Sequence, residues 1–483
     1  MRGEQPQPLW GQIRGKPSKQ VPMSKRMDAE TIRCGKLPIS HKVTKSFFTA
    51  SPPMKIAIVG SGIAGLAVAH QLQGQAELTL FEADSYFGGH THTVDITLPT
   101  PQGPVSYGVD TGFLVFNERT YPNLIQLLGD LQVQTAKSDM SFSVQVPGQA
   151  GGQPLEWSGS SLSTVFAQRS NLLNPRFWRM LRDLLRFNRL ATELALQGVD
   201  SELMQPLADF LRQEQFSDEF RDWYLLPMLG CIWSCPTNQM LQFPVATMIR
   251  FCHNHGLIQV SKRPQWWTVQ GGARHYVDKI VANLSDKRLN APVQRIVRDA
   301  AGVEITSNGQ TERFDKVVLA CHSDQALAML AQPTRAEQHT LGAIRYQANR
   351  AVLHTDTSVL PNSQRAWAAW NFERAATPPT ARHDARVCLH YLLNRLQPLP
   401  FTQPVLVSLN PVQLIDPASI HGEFEYAHPV FDLAAIRAQH AVPALQGHQH
   451  TYFCGAWTGY GFHEDGLKSG LDVAQRLAQL QLV

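Results

Sequence analysis

Three glycines near residue 60 have the spacing of a turn that binds a dinucleotide. They lie in Gly60-Ser61-Gly62-Ile63-Ala64-Gly65, between the apolar stretch Lys55–Val59 and the helix-like stretch Leu66–Leu72. In a strand–turn–helix unit the first glycine permits the tight turn, the second lets the backbone approach a pyrophosphate, and the third lets the helix pack on the strand. The N-terminus of the helix then faces the phosphate charge. We therefore expect these six residues to bind the pyrophosphate of a dinucleotide.

An acidic residue ends the next predicted strand. Glu82 closes the stretch Leu78–Glu82 and follows Gly65 by 17 residues. A carboxylate in this position accepts hydrogen bonds from ribose hydroxyls and disfavours a 2′-phosphate, which argues against NADP. We expect Glu82 and its neighbour Ala83 to contact the ribose.

A double glycine distinguishes between the nicotinamide and flavin cofactors. Gly88 and Gly89 follow Glu82 by six and seven residues, and His90 and Thr91 come next. NAD enzymes have no need of this pair, whereas flavoproteins of the amine-oxidase type use it to pass the chain beside the pyrophosphate and the isoalloxazine. All four residues are therefore expected to contact FAD.

Two distal segments complete the predicted FAD site. Val293 begins a strand-like stretch and is expected to meet the adenine through its backbone, while Asp315–Ala320 resembles the strand that returns to a nucleotide fold. Near the C-terminus a second glycine-rich turn precedes the last helix, and a helix N-terminus there stabilises the negative charge of a reduced flavin. In this turn and helix we expect contacts from Gly455, Asp465 and Gly466.

From Met54 onward the chain resembles a bacterial family of predicted NAD/FAD-binding proteins, a branch of the amine-oxidase and phytoene-desaturase flavoprotein superfamily. The departures from the family pattern are Trp267, where an arginine is expected, and Ala273, where a serine is expected. The matching strings are Gly88-Gly89-His90, Thr93-Val94-Asp95, Ile232-Trp233-Ser234, Phe251–Leu257, Arg263-Pro264-Gln265-Trp266, Thr268–Gly272, Ser408–Pro411 and His463–Gly470.

The resemblance implies an α/β fold with a Rossmann-type FAD-binding domain, similar to that of glutathione reductase, and an inserted α+β substrate or cap domain. It implies an oxidoreductase that desaturates or reduces methyl-branched fatty acyl chains of phospholipids, by hydride transfer involving flavin N5. The implied partners are the lipid, or another apolar small molecule, and a methyltransferase of the cyclopropane-fatty-acid-synthase type.

The predicted catalytic residues stand around the start of the last helix. Trp457 and Tyr460 can shape an apolar slot or simply pack in the core. His463, Glu464 and Asp465 form the densest polar cluster there, and we expect it to serve catalysis or hydrogen-bond the flavin. Capping of the helix is the alternative role. An acid or a base can do little to activate the C–H bonds of an alkyl chain. Catalysis should therefore depend mainly on positioning the substrate and excluding water from it.

Two other functions stay open at this point. An amine oxidase of the same superfamily favours a paired-aromatic cage and a water molecule held by lysine. Lys468, the obvious lysine near the C-terminus, lies inside the predicted last helix. The amine-oxidase hypothesis is therefore less favoured than the lipid oxidoreductase. A non-catalytic flavin-binding partner of a lipid methyltransferase is the third hypothesis.

The chain divides into an N-terminal extension and interleaved domain segments. Residues 1–53 hold ten Lys/Arg and three acids. We expect them to be disordered, with an over-long gene start before Met54, or a transit peptide, as the alternatives. The predicted segments are an FAD domain at 54–120, 261–330 and 436–483, a mainly helical cap at 121–260 and a substrate segment at 331–435.

Charge and cysteine content indicate which partners and which cellular location to expect. Beyond residue 53 the chain carries 33 Lys/Arg and 36 acids, so no nucleic acid partner is expected. Scattered cysteines predict reduced thiols and a cytoplasmic protein, and the spacing of Cys231, Cys235 and Cys252 predicts no metal site. No stretch is long and apolar enough for a transmembrane helix. The arginines at 179–189 predict a peripheral contact with the inner face of the membrane, or an ordinary solvated helix face.

Overall fold

The computed structural model describes residues 53–148, 153–198, 205–259, 263–374 and 387–480, all within one unit of the chain, Pro52–Val483. Residues 1–52, which hold the basic extension predicted to be disordered, lie outside the described residues. The first described strand begins at Lys55.

A parallel sheet of five strands carries the glycine turn. Lys55–Val59 is its central strand, and the turn that begins at Gly60 leads from it into helix Ile63–Leu72. The middle of this strand is fully buried, as is usual in parallel sheets with both faces covered. From one edge to the other the strands are Asp286–Arg288, Glu77–Phe81, Lys55–Val59, Lys316–Leu319 and Thr451–Phe453.

The helix after the glycine turn packs closely on the last helix of the chain. This closing helix, His463–Leu480, meets Ile63–Leu72 through small residues. A Cβ atom added at Gly470 would lie 2.3 Å from the carbonyl oxygen of Ala64. Only glycine permits this distance between the two helices, so the position of the closing helix depends on it.

A second, seven-stranded sheet has mixed directions. Its neighbouring strands are antiparallel, except that Trp370–Arg374 and Phe142–Val146 run parallel. Segments 121–260 and 331–435 both contribute strands, so they share this sheet. In order, the strands are Ile420–Val430, Arg345–His354, Leu406–Leu409, Val387–Leu392, Trp370–Arg374, Phe142–Val146 and Leu155–Ser158.

The remaining described strands form small sheets. One is an antiparallel meander of Val293–Asp299, Gly302–Ser307 and Gln310–Phe314. A hairpin joins Thr93–Thr100 to Gly103–Asp110. In the third small sheet, Trp266–Val269 lies between Phe116–Asn117 and Thr135–Ser138.

The longest described helix is Pro175–Gln197. The side chain of Asn174 caps it by accepting a hydrogen bond from the N–H of Arg176, and proline occupies the first turn. It ends at Gly198, whose φ of 67° is in the left-handed region. The other described helices are Pro122–Asp130, Leu162–Val165, Leu207–Gln213, Asp218–Phe220, Leu226–Trp233, Thr237–Met240, Val245–Asn254, Arg274–Ala282, Ser323–Met329, Arg335–Leu341, Leu393–Leu396 and Leu433–Leu445, with a π-helical turn at Arg221–Leu225.

The mixture of a parallel sheet, helices and a largely antiparallel sheet confirms the predicted α/β class. Within the described ranges, no helix combines the length and the apolar character needed to cross a bilayer.

Gly470→Ala is expected to destabilise the protein, because the new Cβ would force the closing helix away from Ala64. Overpacking of this kind costs about 1–3 kcal/mol, which denaturant unfolding followed by circular dichroism should detect. Gly129→Ala is the control. Gly129 lies in helix Pro122–Asp130, a Cβ added there meets no atom within 4 Å, and alanine favours the helix. Equal stability of the two variants would contradict the close packing of the helices.

Candidate functional site

A cavity of about 890 Å³ is lined by residues of both large sheets. It takes in the glycine turn after Lys55–Val59, the double glycine at 88–89 and the turn before the closing helix. It also reaches Trp370, Tyr391 and Leu409 of the seven-stranded sheet. The volume lies at the upper end of the range for ligand and cofactor sites.

Most residues predicted as the site line this cavity, but Gly65, Thr91, Glu464, Asp465 and Gly466 do not. The two groups therefore differ in whether they reach the cavity. The predicted residues on the cavity wall are Gly60, Ser61, Gly62, Ile63, Ala64, Glu82, Ala83, Gly88, Gly89, His90, Val293, Gly455, Trp457, Tyr460 and His463.

Each glycine of the turn makes a different contribution. Gly60 has a φ of 101°, and a Cβ there would lie 2.8 Å from the carbonyl oxygen of Ala320. A Cβ at Gly65 would lie 2.0 Å from the carbonyl oxygen of Gly60, so this glycine permits packing within the unit. A Cβ at Gly62, by contrast, meets no atom within 4 Å. This open space at the N-terminus of helix Ile63–Leu72 fits a pyrophosphate.

Glu82 connects the two glycine segments. Its Oε2 atom accepts hydrogen bonds from the backbone N–H and from the hydroxyl of Ser61. The same hydroxyl accepts a hydrogen bond from the N–H of Gly88 at 3.0 Å. Gly89 then lies so close to the turn that a Cβ there would be 3.3 Å from Cα of Gly62. The Glu82 carboxylate is thereby fixed at the cavity wall, where it fits the ribose hydroxyls of FAD.

Val293 and Gly455 border two further parts of the cavity. Val293 is the first residue of strand Val293–Asp299. A Cβ at Gly455 would lie 2.4 Å from the indole nitrogen of Trp457, so glycine leaves room for this ring. The indole N–H donates to the carbonyl oxygen of Cys321 at 3.1 Å. Because this nitrogen is its only polar side-chain atom, Trp457 contributes a fixed wall to the cavity.

His463, the first residue of the closing helix, is held by aromatic and hydroxyl neighbours. Its ring stacks on that of Phe113, with 3.8 Å between the centroids. Its Nε2 atom lies 2.7 Å from the hydroxyl of Tyr276, which also hydrogen-bonds the hydroxyl of Thr91. Burial, with a smaller effect of His90, lowers the pKa of His463 to about 3. The imidazole is therefore neutral near pH 7.

His90 offers a polar atom to a ligand. Its Nε2 atom is buried and has no hydrogen-bond partner in the described part of the chain. Burial and the neighbouring His322 lower the pKa of His90 to about 4, so its ring is neutral. A buried polar atom without a partner is costly, and a ligand that hydrogen-bonds it removes that cost. Beside the double glycine, this nitrogen fits a cofactor with polar ring edges such as flavin.

Sequence reasoning missed several residues of this cluster. The rings of His322 and His428 lie 6.2 and 5.4 Å from the ring of His90, and both line the cavity. Burial lowers the pKa of His322 to about 4 and that of His428 to about 3. Tyr276 and Phe113, the neighbours of His463, were missed as well. These residues come from distant parts of the chain, so no local spacing pointed to them.

The hydrogen bonds of Glu464 lie within the protein, and they favour a structural role over the catalytic role predicted for it. Its carboxylate accepts hydrogen bonds from the backbone N–H groups of Asn123 and Leu124, at 2.9 and 3.0 Å. These are orphan donors in the first turn of helix Pro122–Asp130. Glu464 therefore attaches this helix to the closing helix and does not face the cavity.

Asp465 and Gly466 make contacts within the protein, and the cofactor contacts predicted for them stay a prediction. Asp465 accepts hydrogen bonds from the N–H groups of Tyr460 and Phe462, at 3.1 and 3.0 Å, and burial raises its pKa to about 6. It thus shapes the turn that carries these two rings. A Cβ at Gly466 would lie 2.8 Å from a side-chain carbon of Ile63, so this glycine serves helix packing.

A group of rings, here named the aromatic chamber, encloses another part of the cavity. It consists of Trp233, Phe251, His255, Trp266 and Phe462. Phe251 stacks on Phe462 and on His255, with 4.7 and 3.9 Å between the centroids. Burial lowers the pKa of His255 to about 4, so the chamber carries no ionised side chain near pH 7.

Three potential metal ligands meet within the seven-stranded sheet, outside this cavity. Atoms of Glu373, Cys388 and His390 lie within 4.8 Å of one another, and all three residues are buried. His390 Nε2 is 3.1 Å from Glu373 Oε2, and its Nδ1 is 2.7 Å from the hydroxyl of Ser408. Hydrogen bonds within the protein therefore account for this group, which no sequence spacing indicated.

The family profile of flavin containing amine oxidoreductases matches residues 63–391. The chain belongs to this family. The match confirms the predicted superfamily and the FAD cofactor. The carotenoid phi-ring synthase of Streptomyces griseus is 26% identical over 310 residues, which are 59% of this chain and 55% of the synthase. The chain spans about half the length of the curated relatives it matches.

Solved enzyme structures share the fold. The CLA-producing fatty acid isomerase from P. acnes superposes with a TM-score of 0.59 at 16% identity, covering 88% of this chain and 98% of the isomerase. Cyclohexylamine oxidase from Brevibacterium oxydans IH-35A also superposes with a TM-score of 0.59, at 17% identity, covering 89% of this chain and 100% of the oxidase. At these identities the likeness concerns the fold alone, and it confirms a Rossmann-type FAD-binding domain with a substrate domain.

Two alanine substitutions in the glycine turn should separate flavin binding from folding. Gly62→Ala is expected to leave the stability of the FAD-free protein unchanged, because its Cβ meets no neighbour and its φ is −61°. It should weaken FAD binding about tenfold or more, because the methyl group occupies the space for the pyrophosphate. Gly65→Ala should instead lower the free energy of unfolding. Fluorescence titration of the apoprotein with FAD measures the affinity, and an unchanged value for Gly62→Ala would place the pyrophosphate elsewhere.

Glu464→Ala is expected to lower the free energy of unfolding by about 1–3 kcal/mol, since two backbone donors lose their acceptor. FAD affinity should stay unchanged. Asp472→Ala removes a carboxylate from an exposed position of the same helix and should alter neither quantity. Thermal unfolding with and without FAD measures both effects. Full stability combined with lost turnover in Glu464→Ala would restore its catalytic role.

Proposed function

We propose that the protein is an FAD-dependent oxidoreductase that desaturates or reduces fatty acyl chains, in particular methyl-branched chains of phospholipids, by hydride transfer involving flavin N5. The observation that carries the proposal is the uncharged aromatic chamber in the same cavity as the two glycine segments. Bound flavin supplies the redox chemistry, because its oxidised form accepts a hydride and its reduced form returns one.

The carboxylates on the cavity wall lie outside the aromatic chamber. Glu82 and Asp84 follow strand Glu77–Phe81, and Glu425 is an exposed residue of the edge strand Ile420–Val430. An alkylammonium group in the chamber would lose its hydration without a counter-charge, at a cost of several kcal/mol. An acyl chain gains about 0.8 kcal/mol for each buried CH₂ group instead. The chamber therefore favours an alkyl chain over an amine.

The side chains of the cavity bind and orient the substrate and exclude water. The stacked rings of Phe251 and Phe462 offer flat apolar walls, and the fixed indole of Trp457 adds a third. Of the residues predicted as catalytic, His463 keeps an imidazole at the cavity. Its lowered pKa makes it a weak base, so we propose a positioning role for it through its contact with Tyr276.

The names of the fold relatives support two substrate classes. A relative named as a fatty acid isomerase favours a lipid, and one named as cyclohexylamine oxidase keeps an amine oxidase as the alternative. Lys468, the lysine considered for the amine oxidase, is exposed on the closing helix and does not line the cavity. Its position weighs against the amine oxidase.

A methyl branch on the substrate defines the class of reaction that must come first. A methyltransferase of the cyclopropane-fatty-acid-synthase type adds a methyl group to an acyl chain, and we propose it as the functional partner. In the alternative, the protein assists that methyltransferase without catalysis of its own. A His463→Ala variant that retains FAD, lacks redox activity and still supports the lipid modification in cells would favour this alternative.

The anaerobic visible spectrum of the FAD-loaded protein tests the proposed reaction. Micellar phospholipid with mid-chain methyl branches should bleach the oxidised flavin if the protein desaturates acyl chains. If the protein reduces them, the matching unsaturated phospholipid should restore the absorbance of the chemically reduced flavin. Either response, without bleaching by cyclohexylamine, supports the proposal.

Two other results would contradict it. Bleaching by cyclohexylamine, and by neither lipid, would identify an amine oxidase. An unchanged spectrum with all three compounds would remove the oxidoreductase proposal and favour the accessory role. Phospholipid with straight saturated chains is the control for the effect of micelles on the spectrum.

A further inference from the structure

Helix Pro175–Gln197 has two faces of different character. One face is buried in the protein through Phe177, Met180, Phe187 and Ala191. With 3.6 residues per turn, the opposite face presents a line of exposed side chains at spacings of three, four and seven residues. This outward stripe consists of Trp178, Arg182, Leu185, Arg189, Glu193 and Leu196.

The outward stripe continues into the segments before the helix. Leu173, in the 3-10 turn Arg169–Leu173, is 89% exposed, and Leu162 is 80% exposed. The indole N–H of Trp178 donates to the carbonyl oxygen of Leu172 at 2.9 Å, which holds the turn against the helix. We name Leu162, Leu172, Leu173 and Trp178 the apolar tip. Its leucines are displayed by regular, hydrogen-bonded backbone, and large apolar side chains exposed together mark a contact surface.

Arginines are concentrated in the segment of the chain that carries the apolar tip. Residues 162–198 contain six arginines and two acids, although the chain beyond residue 53 carries more acids than bases. Each buried carboxylate nearby meets two arginines, so positive charge remains in excess. Glu219 lies within 4 Å of Arg176 and Arg179, and Asp183 lies within 4 Å of Arg182 and Arg186.

We propose that this surface docks on an anionic phospholipid bilayer, with the apolar tip in the interfacial region and the arginines against headgroup phosphates. Arginine and leucine alternate along the outward stripe from Arg182 to Arg189, and Glu193 is its one acidic residue. Mobile headgroups can meet each arginine in turn, whereas a protein partner would need a fixed carboxylate for each one.

The docking surface differs from the one expected from the sequence. The sequence indicated only the arginines at 179–189, whereas the structure adds the exposed Leu162 and Leu173, which precede the helix. Phe177, next to Trp178, is fully buried in the core. The proposal also stands apart from the proposed reaction, because membrane binding requires no turnover.

Flotation with vesicles tests the proposal on the full-length, FAD-loaded protein. Vesicles of phosphatidylcholine and phosphatidylglycerol should carry the protein up the gradient, and vesicles of phosphatidylcholine alone should carry much less. Added salt should weaken the binding, because it screens exposed charges.

Two pairs of variants locate the contact. Leu162→Ser with Leu173→Ser should lower the vesicle partition coefficient about tenfold or more. Leu414→Ser, at a position 90% exposed elsewhere on the molecule, should leave it unchanged. Arg182→Gln with Arg189→Gln should lower it, whereas the exposed pair Arg335→Gln with Arg437→Gln, which removes the same charge, should not. All variants keep the basic residues of 1–53 constant.

Three outcomes would overturn the proposal. Absence of binding to anionic vesicles would do so directly. Equal binding of the surface variants and their controls would assign the binding to other charges, those of residues 1–53 among them. A smaller species in size-exclusion chromatography for the leucine variants, with vesicle binding unchanged, would identify a second copy of the chain as the occupant of this surface.

Discussion

The hydrogen bonds among Ser61, Glu82 and Gly88 are the constraint on which the cavity depends. They join the turn after the first strand, the residue that follows the second strand, and the double glycine, all of which lie outside the helices and strands. A buried carboxylate without donors is costly, so Glu82 keeps these segments together. The wall of the cavity here is backbone, with open space at Gly62, and a cofactor can approach it more closely than it could approach side chains.

The same enclosure keeps the histidines of the cavity uncharged. Burial lowers the pKa values of His90, His322, His428 and His463 to about 4, 4, 3 and 3, so none of them is an imidazolium at pH 7. A reduced flavin gains negative charge, and the histidines cannot balance it. The closing helix begins at His463 on the cavity wall, and the positive end of its dipole can balance this negative charge. The glycines that bring this helix against Ile63–Leu72 therefore also determine the electrostatics of the site.

Local chemistry could be predicted from the sequence, and long-range pairing could not. Gly62 and Glu82 belong to one strand–helix–strand unit, whose geometry fixes their spacing, and the family resemblance implied the α/β class. Glu464 looked catalytic because its partner, Asn123, is 341 residues away and only the fold brings the two together. His463 and Tyr276 are separated by 187 residues. The seven-stranded sheet could not be predicted for the same reason, since its strands come from two interleaved segments of the chain.

Apolar side chains have different roles in the aromatic chamber and in the apolar tip. In the chamber, Phe251 and Phe462 cover each other, and their surface leaves water when the protein folds. At Leu162 and Leu173 the surface stays in water, and about 25 cal/mol for each Å² is gained only when a partner covers it. A symmetric second copy would bring the six arginines of one chain against those of the other. An anionic bilayer covers the leucines and neutralises the arginines together, so the charge that disfavours self-association favours the membrane.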